Sequence, residues 1–142
     1  MPRASIKLSD LELALEFVST GAEAECEAYL EIQTGTIYWK SVLADIEEPL
    51  PDDIEDGENY LSIPHKKALG LGKPLVLKFC REYLPNDLEE VVAIFGRRGA
   101  YTRFKQVLER KHYLAQWYNF EAEAQATALR QWCEDNEITI EA

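Results

Sequence analysis

CEAYLEIQTGTIYWKS, residues 26–41, is the stretch that decides the fold class. Cys26, Ala28, Leu30 and Ile32 alternate with Glu27, Tyr29 and Glu31, the two-residue period of a strand with one buried face. Thr34-Gly35 supplies a turn, and Ile37 and Trp39 then resume the alternation. The segment therefore reads as a β-hairpin, and everything around it has to be fitted to a sheet.

Upstream, Leu11, Ala14, Leu15 and Val18 fall on one face at helical spacing. Ser9 followed by Glu12 has the form of a capping box, Leu8 and Leu13 that of a hydrophobic staple, and Gly21 that of a stop. Downstream, the acidic segment over 45–58 carries Pro49 and Pro51 and reads as a loop, after which NYLSI, ended by Pro64, supplies a third strand. From Pro74 the pattern is helical, with helices expected over 74–84, 87–95, 100–111 and about 113–135, the second capped by Asn86 with Glu89. Pro85 and Gly96 punctuate them, and the closing EITIEA reads as a short strand returning to the sheet.

The architecture this implies is α+β: a small antiparallel sheet of hairpin plus third strand, packed by an N-terminal helix and followed by a helical C-terminal half. With 142 residues the chain is expected to form a single domain, its α/β-hairpin half over about 1–65 and its helical half over about 73–136. The 46% hydrophobic content is enough to close a core without disulfides or metals.

Charge is unevenly spread. The formal net charge is -11, yet residues 95–111 hold Arg97, Arg98, Arg103, Lys105, Arg110 and Lys111 against Glu109 alone. So acidic a surface repels polyanions at long range and favours a basic partner, while a small local anion site stays open. Cys26, Cys80 and Cys133 are far apart and form no C-x-x-C pair, so they read as buried, reduced thiols of a cytoplasmic protein rather than as a disulfide framework or zinc site. No uncharged apolar run reaches membrane-spanning length. Neither metal nor cofactor is expected.

Two loops imitate known sites and fail on spacing. DDIEDG, from Asp52 to Gly57, fits the start of a calcium loop, but Ile54 and Ile63 occupy positions that need oxygen ligands, which leaves a solvated acidic loop. ALGLGKPL looks like a phosphate loop, but Lys67 stands where the first glycine belongs and Pro74 where a hydroxyl belongs. It reads as a turn into a helix that begins at Pro74. His65 and His112 lie near no serine or cysteine at informative spacing.

The basic stretch FGRRGAYTRFKQVLER, residues 95–110, carries the candidate site. On a helical wheel Ala100, Tyr101, Phe104, Val107 and Leu108 share the apolar arc, while Arg103 and Lys105 fall on opposite flanks. Arg97 and Arg98 precede a helix start, which is electropositive already, so an anion should answer them. That anion is either a ligand at Arg97, Arg98, Gly99, Arg103 and Lys105, or a carboxylate of the chain itself, with Glu121 and Glu123 of the last helix the candidates. In that last helix Trp117 and Tyr118 are expected in one core with Phe104, and its wide apolar arc reads as a central helix or a homodimer interface.

These residues resemble uncharacterised protein family 0158, whose signature runs glycine, a basic residue, G-A-F, two basic residues and F-K, followed later by W-Y-x-F-x-x-E. Arg98, Gly99, Ala100, Tyr101, Arg103, Phe104 and Lys105 match the first part, and Trp117, Tyr118, Phe120 and Glu123 the second. Arg97, Thr102 and Gln106 depart from it. The resemblance implies a small bacterial α+β protein with no assigned activity. On the residues, the first expectation is a non-enzymatic binding or regulatory module that holds a protein partner, including a basic one. The second is an anion or nucleic-acid site at the Gly-Arg-Arg-Gly helix start, and the third an enzyme.

Overall fold

The hairpin forms as read, with β2 over Cys26–Glu31 and β3 over Ile37–Ser41. The computed structural model describes residues 5–20, 25–41 and 50–141. The turn closes with Gly35 at φ 77, left-handed backbone that glycine adopts without a Cβ clash. Antiparallel pairing sets Ala28 against Trp39 and Leu30 against Ile37, and β4 over Tyr60–Ser62 adds to the other side of β2. The strand order is β3-β2-β4.

One face of this sheet is closed by α1 over Leu8–Val18. Leu11, Ala14, Leu15 and Val18 are buried, as are Cys26, Ala28, Leu30 and Ile32 of the alternating strand. Phe17 meets Trp39 edge to face at 5.1 Å. The start of α1 differs from expectation. Its N-cap is Lys7, with no side-chain cap, and Leu13 is 65% exposed, so neither capping box nor staple is made. Beginning at Leu8, the helix takes Ser9 into its first turn, where its hydroxyl cannot serve as the cap. The stop assigned to Gly21 and the 45–49 part of the acidic loop with Pro49 lie outside the described residues.

The rest of the acidic loop is braced from within. Asp56 accepts hydrogen bonds from the Glu58 amide at 2.9 Å and from Asn59 Nδ2 at 3.1 Å. The Tyr60 hydroxyl donates to Asp53 at 3.1 Å. Burial, then that bond and the negative charge of Asp53, pushes the Tyr60 hydroxyl up to about 12. The carboxylates that imitate a calcium loop thus hold the turn into β4.

The closing strand also departs from expectation. It forms as β5 over Thr139–Ile140, but it pairs in parallel with β1 over Ser5–Ile6 and makes a separate two-stranded sheet.

The C-terminal half is helical: α2 over Lys73–Tyr83, α3 over Leu88–Ile94, α4 over Ala100–Lys111 and α5 over Leu114–Asp135. Lys73 precedes Pro74 in α2, one residue earlier than expected. A 3-10 turn over Pro85–Asp87 leads into α3, whose N-cap is Asp87 without a side-chain bond, so Asn86 caps nothing.

The chain divides into two compact units, Met1–Leu69 with Ala126–Ala142, and Gly70–Gln125. Helix α5 contributes its first turns to the C-terminal unit and its last turns, with buried Leu129 and Cys133, to the N-terminal one. The C-terminal unit closes on rings. Trp117 and Phe104, both 0% exposed, meet at 5.1 Å, and Phe79 meets Trp117 at 5.3 Å, each pair edge to face. All three cysteines are free and buried. Burial pushes the Cys133 thiol up to about 11, and burial followed by Asp87 does the same to Cys80.

Candidate functional site

Helix α3 ends at Ile94 with Phe95 as its C-cap, and the chain turns through Gly96, Arg97 and Arg98 into α4. Gly99 makes the turn as N-cap at φ 73, where a side chain is strained whatever the space. No side chain caps the first amides of α4. Arg97, Arg98, Arg103 and Lys105 are all exposed. They do not converge, because Arg103 and Lys105 lie roughly 160° apart around the helix.

The internal pairing expected for the basic stretch is not formed. Among the described residues, the ion pairs of this unit join Arg110 to Glu90 at 3.2 Å and Lys111 to Asp87 at 3.7 Å. Arg98 and Arg103 make none with Glu121 or Glu123. The physical reason is placement: it is the end of α4, not its start, that comes to the acids beginning α3. Glu123 is exposed, and Glu121, half-buried, lies near Tyr101 instead. Burial, then the charge of Glu121, raises the Tyr101 hydroxyl above its ordinary range.

Two aromatic assignments also change. Phe104 and Trp117 share one core, but Tyr118 is 47% and Tyr101 43% exposed. Tyr118 follows Trp117 by one residue and so turns about 100° away from it. Its ring instead lies under Lys105, whose Nζ stands 5.5 Å from the centroid, a cation–π distance. Tyr101 and Lys105 are four apart and share a flank of α4. The ring of Tyr101 leans edge-on against Phe95 at 5.1 Å. Phe120 packs against Phe79 at 5.3 Å.

The structure thus assembles an exposed face of Tyr101, Lys105 and Tyr118, backed by Phe104 and Trp117, and leaves Arg103 on the other flank. The family description Uncharacterised protein family (UPF0158) matches residues 8–142. The chain belongs to this family. No curated protein and no solved structure matches it. Of the residues by which the chain resembles UPF0158, Phe104 and Trp117 are buried, Ala100 and Phe120 half-buried, and Arg98, Gly99, Tyr101, Arg103, Lys105, Tyr118 and Glu123 exposed. Part of the UPF0158 signature here is therefore core, and part is surface.

Among the described residues no cluster of three His, Cys, Asp or Glu side chains is placed to hold a metal, and no helix is long and apolar enough to cross a membrane. Sequence reasoning missed Tyr83 and Val92, 39% and 43% exposed on the same unit. It also missed a cavity in the N-terminal unit where Glu58 comes together with Asp135 and Glu137. No local pattern signals that second meeting, because 76 residues separate Glu58 from Asp135.

Proposed function

We propose that this protein is a non-enzymatic binding module that acts in the cytoplasm by holding a protein partner, and that Tyr101, Lys105 and Tyr118 form its contact face. The observation that carries this is the pair of tyrosines, nearly half exposed, held on helices whose opposite sides are fully buried. Tyrosine gives a large contact area at low cost in side-chain entropy, and binding energy concentrates on such anchors when the surface beneath them is rigid. Lys105 over the Tyr118 ring organises the face before a partner arrives.

The test replaces Tyr118 by a photoreactive phenylalanine analogue and crosslinks in the native cytoplasm. One dominant protein adduct, lost in the Tyr101→Ala background at unchanged melting temperature, is the expected outcome. A second copy of the chain in the adduct identifies a homodimer. Diffuse labelling with no dominant adduct contradicts the reading.

A second reading, an anion or nucleic-acid contact at the start of α4, is favoured by Arg97 and Arg98 being exposed and without an ion pair among the described residues. The net charge of -11 weighs against a long polyanion. Retention of the wild type on immobilised RNA, abolished by Arg98→Glu, would move the assignment to that reading.

A further inference from the structure

A cavity of about 390 Å³ opens within the N-terminal unit. Ile32 and Leu61 give it apolar walls, and Glu58, Asp135 and Glu137 give it a carboxylate rim. All three acids are exposed, and among the described residues none makes an ion pair. Among the described residues no basic side chain lines the cavity. The unit around it holds 6 Lys and Arg against 19 Asp and Glu, a net of -13.

The cavity also adjoins an edge of the sheet. In the order β3-β2-β4, strand β4 has β2 on one side and, among the described residues, no strand on the other. The register fixes which of its backbone groups are used. Ile32 N–H bonds to the Asn59 carbonyl and Ile63 N–H to the Ala28 carbonyl, both at 2.9 Å. Residues 59, 61 and 63 therefore turn their polar groups toward β2, and by the alternation of an antiparallel ladder Ser62 turns its amide and carbonyl to the free edge. Ser62 is exposed. Its neighbour Leu61 is the cavity wall, so a chain laid along β4 would place alternate side chains over the cavity.

We infer that this groove docks an extended, cationic segment of a partner protein, which adds to β4 as a strand and sets lysine or arginine side chains between the Ile32–Leu61 wall and the carboxylate rim. Main-chain bonds at Ser62 supply the pairing and the cavity supplies the selection. The long stem of a basic residue suits the apolar wall, and its charged head suits the three acids. The site is built wholly from the N-terminal unit and is independent of the tyrosine face.

The probe is an acetylated and amidated hexapeptide of alternating lysine and valine, titrated into the full chain by calorimetry. The wild type is expected to bind it, and to ignore the same peptide with glutamate for lysine. Glu58→Lys combined with Asp135→Lys should weaken binding about tenfold or more. Ser62→Pro, which removes the outward amide and leaves the bonds to β2 in place, should weaken it by about the same factor. Methylating the peptide's own amides tests the strand without altering the protein, and should abolish binding. The inference is overturned if the lysine peptide does not bind at about 1 mM, a weak limit for any specific contact. It is equally overturned if the methylated peptide binds as well as the parent, or if charge reversal leaves affinity unchanged. Loss of this site leaves the crosslinking result at Tyr118 as it was.

Discussion

The N-terminal unit buries Leu11, Leu15 and Leu30, whereas the C-terminal unit buries Phe79, Phe104 and Trp117. A sheet with a helix laid along it brings many small apolar side chains onto one continuous face, and leucine and alanine fill the gap. Four short helical pieces within residues 70–125 have no such face, and large rings meeting edge to face close the space between them. Charge divides in the same way. The C-terminal unit holds 9 Lys and Arg against 7 Asp and Glu, a net of +2, while the other is at -13. One chain therefore carries two differently built surfaces.

The sharpest way to break this comparison is at the rings. Phe104→Ala should cost about 3–5 kcal/mol in urea unfolding, and Leu30→Ala about 2–5 kcal/mol. Hydrogen exchange should show the first loss concentrated in residues 70–125 and the second in the sheet. A cost below about 1 kcal/mol for Phe104→Ala would deny the aromatic core.

Alkaline pH tests the two units together, since each buries one strongly raised thiol. Cys80 and Cys133 stay protonated in the folded chain up to about 11, but ionise near their ordinary 9.0 once unfolded. Unfolding between these values releases their protons. Stability should hold below about pH 9 and fall above it, by about 1.4 kcal/mol per pH unit for each thiol. Cys80→Ala should remove one share of that slope and Cys133→Ala the other.

At the turn between α3 and α4, Gly99→Ala should cost about 1–2 kcal/mol by forcing a side chain into left-handed backbone. The smallest effects are expected on the surface of the C-terminal unit. Arg103→Glu and Tyr118→Ala should each change stability by less than about 0.5 kcal/mol. If Arg103→Glu destabilises markedly, the arginine holds an internal carboxylate after all.

The hairpin was legible because a strand with one wet face writes its burial directly into alternation, and Cys26, Ala28, Leu30 and Ile32 are all buried. Helix α4 was legible to the residue because Gly99 before it and the apolar spacing within it agree. Caps were read less well. Ser9, Glu12 and Asn86 have the right chemistry, but a shift of one residue in a helix start removes the bond. The candidate site was half legible. The basic stretch and the tyrosines could be named, yet which flank faced solvent depended on partners from another helix. The cavity beside β4 could not be read at all, because its acids meet only after the chain has closed on itself.

That closure bears on the order in which the molecule is made. The N-terminal unit needs Leu129, Cys133, Ile138 and the β5 strand that pairs with Ser5–Ile6, and the whole C-terminal unit is synthesised before them. At about 5–20 residues per second the ribosome takes on the order of 3–11 seconds to pass from Gly70 to Gln125. Throughout that interval the N-terminal unit waits for its last residues, β5 among them, while the aromatic unit, contiguous in sequence, is free to fold first. A nascent chain halted before Ala126 would leave this unit without Leu129, Cys133, Ile138 and the partner of β1, and be the form that chaperones and proteases meet.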